Sequence, residues 1–227
     1  MAILSAAEQL FADKGVDNTS VRDITRLANA NLGAINYYFG TKERLAIEVF
    51  IRALEPANRR RLAWLDRLEK EANGKPLKLE KIVEVLIRPM LENDGEEVRT
   101  SDSFRQLLSH CFHESNPEIK LLVKERYAET CQRFDTALSR ALPGLSLDEL
   151  FWRTQFVFGA MHHAITAWLR FDFLPLPSLV NGQKPQLIDA EALVQQLVIC
   201  ATAAFRAHSS NIPSKPNHFH KSSHATQ

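Results

Sequence analysis

From Ile3 to Ala207 apolar residues keep returning at every third or fourth position, and no stretch of useful length alternates apolar with polar as a half-buried strand does. This regularity restricts the chain to an all-α fold. Ile3, Leu4, Ala7, Leu10 and Phe11 mark a first helix over residues 2 to 14, which Gly15 ends as a cap. Thr19 or Ser20 starts a second helix. Asp23 stands where a capping box with Ser20 needs an acid, Val21, Ile24 and Leu27 point inward, and the helix ends near Ala28. Asn29 tolerates the left-handed backbone of a tight turn, and Asn31 caps a third helix, "LGAINYYF". On it Leu32, Ile35 and Phe39 share the face that seats it on the first two. Gly40 closes that helix and Thr41 caps a fourth, whose apolar face runs through Leu45, Val49 and Phe50. Pro56 lacks a backbone donor, which predicts a kink or break around Ala53 to Glu55 before "ANRRRLAWLDRLEKE" resumes.

Longer helical stripes follow over residues 79–91, 103–114, 117–142, 147–171 and 189–207, punctuated by Asn116-Pro117, Pro143-Gly144 and "LPLPSLVNGQKPQ". Ser146 and Glu149 form a second capping box. The pattern divides the chain into a small head over residues 1–46, a larger helical body over 47–208 and a tail over 209–227 too poor in apolar residues to fold. Cys111, Cys131 and Cys200 lie far apart within apolar helical patterns, which suits reduced core thiols in a cytoplasmic protein. No run approaches the roughly 20 apolar residues that cross a bilayer. The formal net charge is only +1, so attraction to an anionic partner has to come from a local patch.

Such a patch lies in "ANANLGAINYYFGTKERL". With Leu32, Ile35 and Phe39 inward, the exposed arc of the third helix holds Gly33, Ala34, Asn36, Tyr37 and Tyr38. Adjacent tyrosines at a surface suit a nucleic acid backbone, since the ring packs on sugar while the hydroxyl reaches a phosphate oxygen. Ala34 offers a methyl to a thymine methyl, and Asn36 can read adenine or hold a phosphate. Thr41 and Lys42 open the fourth helix, whose free N–H groups and positive end form an anion site. Two short helices joined by a tight turn make a helix-turn-helix whose second member enters a major groove.

Residues 3 to 45, "ILSAAEQLFADKGVDNTSVRDITRLANANLGAINYYFGTKERL", resemble the TetR-type transcriptional regulators in the first helix, "TSVRDI", the short turn, "YYF" and "GTKE" followed by Leu45. The resemblance implies a homodimer with an N-terminal DNA-binding domain and a helical effector-binding and dimerisation domain. It also implies DNA contacts from Ser20, Arg22, Ala34, Asn36, Tyr37, Tyr38 and Lys42. Many members carry Gly-Val-Ser where this chain has Asn29, Ala30 and Asn31, and Asn serves both the turn and the cap. The basic arm common ahead of the first helix does not precede "MAIL", which leaves minor-groove contacts unassigned. "ALPGLSLDELFWRTQFVFGAMHHAITAW" is similar to a proteobacterial subgroup responding to long-chain fatty acids. The expected function is a repressor released from a pseudopalindromic operator by a hydrophobic effector, with a fatty acid or acyl-CoA foremost. The pairing expected is a four-helix bundle of the last two long helices from each copy. The alternative within this fold is a DNA-marking protein that acts through a protein partner.

Phe104, Leu107, Leu108, Cys111, Phe134, Phe156, Met161 and Trp168 suit plain core singly and, as a group, an apolar cavity between helices. His162 is the polar member expected beside them, with Arg105, Arg126, Arg133 and Arg153 as other partners for a ligand carboxylate. The pairs His110 with His113 and His162 with His163 offer too few ligands for a metal centre. "RRR" at residues 59–61 reads as a solvated face. No GxSxG, P-loop or dinucleotide fingerprint points to an enzyme, and no cofactor is expected.

Overall fold

The computed structural model describes residues 2–91, 107, 110, 116–169 and 186–208. Phe104, Arg105, Leu108, Cys111, His113, the helix expected over 103–114 and the tail over 209–227 lie outside the described residues. Among those described, all regular structure is helical: α1 (Ala2–Lys14), α2 (Val21–Leu27), α3 (Leu32–Tyr38), α4 (Lys42–Ala72), α5 (Leu79–Ile87), a 3-10 turn (Arg88–Met90), α6 (Pro117–Arg126), α7 (Ala128–Ala141), α8 (Leu147–Leu169) and α9 (Ala190–Arg206).

The helix ends follow the local chemistry of the sequence. Ser20 caps α2 and completes a reciprocal box with Asp23, Asn31 caps α3 through the Gly33 N–H, and Thr41 caps α4 through the Arg44 N–H. Asn29 takes a positive φ of 49° between α2 and α3, and Gly40 one of 78° between α3 and α4. Ser146 and Glu149 box the start of α8.

Two apolar clusters organise the protein. The first gathers Ala7 and Phe11 of α1, Ile24 of α2, Ile35 of α3 and Leu45, Val49 and Phe50 of α4, together with Ile119 of α6 and with Leu107. The second packs Leu65 of α4, Ile82, Val83 and Leu86 of α5, Phe134 and Leu138 of α7, Met161 and Ile165 of α8 and Leu193, Val194 and Phe205 of α9. Helix α4 contributes to both, its face turning from one to the other near Ala53, so the head's apolar interior extends past residue 46.

Arginines stitch the second cluster's margins. Arg88 Nη2 donates to Glu84 Oε1 at 2.9 Å and Glu191 Oε1 at 3.1 Å, while Arg206 pairs with Glu80, clamping α5 to α9 from both ends. Arg133 donates to Asp66 and Glu69 at 2.7 and 2.6 Å, fixing α7 on α4.

Several sequence expectations are corrected. Helix α4 runs unbroken through Pro56. A proline removes one donor and crowds one carbonyl, and packing on both apolar clusters carries the helix across that local defect. The single helix expected over 117–142 is divided at Tyr127, whose φ of −102° and ψ of 9° leave the helical region without any glycine or proline. Leu32 is exposed, because only Ile35 and Phe39 reach the head's interior from the short α3. Cys131 and Cys200 are exposed, not core thiols.

Candidate nucleic-acid interface and effector cavity

The head positions α3 by three devices. The Asn29 turn sets its angle to α2, Ile35 plugs its inner face, and the Gly40–Thr41 junction fixes where α4 begins. On the outer face Tyr37 and Tyr38 are 82% and 71% exposed, and their rings meet edge-to-face at 5.0 Å and 84°. Each ring therefore restrains the other while both stay open to a partner. Asn36 and Gly33 are exposed beside them and Ala34 is half-buried. Ser20 and Arg22 are exposed at the start of α2, although the Ser20 hydroxyl is also tied to Asp23 at 2.5 Å. Thr41 is exposed at the start of α4, where the N–H groups of the first turn lack intrahelical acceptors.

Lys42 is engaged within the head itself. Its Nζ donates to the carbonyls of Val16 at 2.9 Å and Thr19 at 3.2 Å, tying the start of α4 to the α1–α2 turn. An ammonium has three N–H donors, so one remains for a phosphate. The same turn is closed by the Thr19 hydroxyl, which donates to Gly15 O at 2.7 Å.

A cavity of about 520 Å³ opens between α4, α6, α7 and α8. Leu86, Phe134, Leu138, Leu150 and Phe158 give it an apolar wall, and Asn58, Arg61 and Thr154 give it a polar one. Arg61 donates through Nε to Leu86 O at 2.8 Å, and burial pushes its guanidinium down to about 10, still far above neutrality. Asn58 Oδ1 and Thr154 Oγ1 are buried without a hydrogen-bond partner among the described residues. At the rim, burial holds the Asp135 carboxyl above its ordinary value.

A sequence model described as "Bacterial regulatory proteins, tetR family" matches residues 3–49, the head and the first turns of α4. A second, described as "Tetracyclin repressor-like, C-terminal domain", matches residues 84–204, more than half of the chain. The chain belongs to the tetR family of bacterial regulatory proteins. The HTH-type transcriptional repressor Rv3405c of Mycobacterium tuberculosis is 48% identical over 44 residues, 19% of this chain and 23% of that protein. The HTH-type transcriptional regulator Mb3439c of Mycobacterium bovis matches to the same extent, so the chain spans about a quarter of the length of these curated relatives. Solved structures of low identity share the fold. FadR of Bacillus subtilis in complex with stearoyl-CoA aligns with a TM-score of 0.58 at 18% identity, covering 90% of this chain and 98% of that one. NalD, the secondary repressor of the MexAB-OprM multidrug efflux pump in Pseudomonas aeruginosa, aligns at 0.56 and 20% identity, covering 89% and 93%.

In this TetR-family chain the expected cavity residues are dispersed. Phe134 lines the cavity. Phe156 is exposed on α8, Met161 is part of the second apolar cluster, and Leu107 is buried in the head's cluster. His162 packs on the Phe158 ring at 5.8 Å, and the Trp168 indole donates to Ile188 O at 2.6 Å. Of the arginines expected for a carboxylate, Arg133 is committed to Asp66 and Glu69 and Arg153 to Phe205 O at 2.6 Å, while Arg126 lies near Glu55 at 3.8 Å. The solvated reading of "RRR" fails for two of the three. Arg59 is exposed, but Arg60 reaches Pro89 O at 2.9 Å and Arg61 enters the cavity wall. The missed signal is positional: Arg61 stands four residues from both Ala57 and Leu65 on a buried stripe, as Thr154 stands four from Leu150.

No helix among the described residues is long and apolar enough to cross a membrane. The described residues contain no group of three or more His, Cys, Asp or Glu able to hold a metal ion.

Proposed function

We propose that the chain is a cytoplasmic, ligand-responsive transcriptional repressor that acts as a homodimer on a pseudopalindromic operator. The observation that carries the DNA reading is the exposed Tyr37–Tyr38 pair on α3, flanked by Asn36 and by the start of α4. An aromatic pair this exposed contributes little to the core, and its geometry suits sugar and phosphate. Ala34 and Asn36 then meet base edges, while Ser20, Arg22, Thr41 and Lys42 hold the backbone on either side. Pairing uses α8 and α9, on which Phe151, Trp152, Phe156 and Ile199 are exposed.

The effector enters the cavity between α4, α6, α7 and α8. A fatty acid or acyl-CoA is favoured by the apolar wall, and a stearoyl-CoA complex is known for a protein of the same fold. Two elements join cavity and head. Helix α4 carries Asn58 and Arg61 at the cavity and Leu45 to Phe50 in the head, and α6 carries Lys124 at the cavity and Ile119 in the head. A guest that prefers one placement of these helices changes the separation of the two α3 helices in the dimer. The coupling this requires is about 1–3 kcal/mol, the usual range.

Mass spectrometry of small molecules retained by the purified chain, followed by their titration into a protein–operator complex, tests the reading. Release of DNA by the retained apolar compound is expected. A compound that fills the cavity and leaves DNA affinity unchanged contradicts effector control.

A further inference from the structure

The polar wall of the cavity narrows the class of guest, on the reading above that this cavity is the effector site. Arg61 is a guanidinium set among apolar side chains, with Nε spent on Leu86 O and no carboxylate within ion-pairing distance among the described residues. The other charged groups at the cavity are Lys124, also cationic, and Asp135, both exposed toward solvent, while burial raises the Cys131 thiol above its ordinary value. Among the described residues, no carboxylate of the cavity pairs with Arg61.

Two further groups lack partners. Thr136 and Thr202 each donate to the carbonyl four residues back, at 2.8 and 2.7 Å, as helical threonines commonly do. Thr154 makes no such bond, and it is 8% exposed. Asn58, 7% exposed and three residues before Arg61 on α4, leaves Oδ1 unmet, and a half-turn of its carboxamide presents N–H donors instead. Buried polar groups left unpaired are costly, so a guest that satisfies all three is selected over one that is merely apolar.

We infer that the cavity takes an amphipathic monocarboxylate, with its carboxylate on the Arg61 guanidinium and the Thr154 hydroxyl and its apolar chain along Phe134, Leu138, Leu150 and Phe158. A planar guanidinium fits a carboxylate through paired N–H donors. A cationic amphiphile meets Arg61 as a like charge, and a neutral one leaves it unpaired.

The test uses the full chain and calorimetric titration with octanoate, dodecanoate and hexadecanoate, each against the corresponding alcohol. At least one acid binds about tenfold or more tightly than its alcohol, as expected for a charge-assisted hydrogen bond. Arg61→Met brings the acid's affinity down to that of its alcohol, and Arg61→Lys restores part of the preference. Thr154→Val, which spares the bond to Leu86, weakens acid binding several-fold more than alcohol binding. Failure of all three acids to bind, equal affinity for acid and alcohol, or an acid preference that survives Arg61→Met overturns the inference. Operator release is measured separately: an acid preference that depends on Arg61, without any effect on DNA, upholds the headgroup assignment and removes only the regulatory reading.

Discussion

Lys42 holds two carbonyls of the α1–α2 turn, whereas among the described residues Tyr37 meets only its neighbour's ring, so substitutions at the two positions separate the proposed DNA contact from stability. Tyr37→Phe is expected to leave stability within about 0.5 kcal/mol of the parent and to weaken binding to every DNA sequence alike. Lys42→Met should lower both, by roughly 1–3 kcal/mol in stability for two carbonyls left without their donor, with a salt dependence of DNA binding shallower by about one. Thermal melts and salt titrations of the two variants check this. A Tyr37→Phe variant that loses stability would mean the ring is structural. On the proposed docking Ala34 and Asn36 meet base edges, so their replacement should shift base preference rather than scale affinity down uniformly. Arg61 teaches a different lesson at this scale. A charged residue on a buried helical stripe is a visible anomaly in sequence, but "RRR" conceals it, because adjacent arginines suggest one shared environment while a helix turns them about 100° apart.

Among the elements, α4 is the one that runs from the first apolar cluster into the second, at 31 residues and about 46 Å. Its continuity through Pro56 implies that packing overcomes an unfavourable residue. Pro56→Ala should therefore raise stability by roughly 1–3 kcal/mol, read by chemical denaturation. If the proline also acts as a bend that transmits the effector signal, the same variant loses coupling between effector and operator. Unchanged coupling would assign transmission to helix placement and not to a hinge. The α5–α9 clamp makes a prediction in pH. Hydrogen bonds from Arg206 to Glu80, from Lys81 and Arg88 to Glu84, and from Arg88 to Glu191 hold all three carboxyls below the ordinary 4.5. Acids lowered in the folded state stabilise it fully above their unfolded value and lose that contribution as pH falls through the folded one. Melting temperature should thus fall steadily in mild acid below about pH 4.5, and less so in Arg88→Met, which starts lower. Identical acid profiles for parent and variant would contradict the clamp.

For the whole molecule, Phe151, Trp152 and Phe156 stand exposed with adjoining rings on α8, and Ile199 is exposed on α9, where the proposed pairing would cover them. Trp152→Glu is expected to yield a monomer in analytical ultracentrifugation and to weaken operator binding more than binding to a single half-site; a dimer of unchanged affinity would place the interface elsewhere. Much of this architecture was legible in sequence. The caps at Ser20, Asn31 and Thr41 and the turn at Asn29 follow from local chemistry, and the outward tyrosines follow from the stripe that buries Ile35. What was illegible depends on which helix covers which face. Periodicity puts Met161 on an inner face but does not say whether core or cavity lies opposite, and it gives no warning that α6 and α7 part at Tyr127. The all-helical fold and the family membership rest on the whole pattern, and the DNA role rests on the head. Selection of binding sites from a random duplex library by the full chain tests that role most directly. The account predicts enrichment of a pseudopalindrome with half-sites spaced for two α3 helices, abolished in a Tyr37→Ala, Tyr38→Ala double variant that melts like the parent. No enrichment, or the same site recovered with both rings removed, would contradict it.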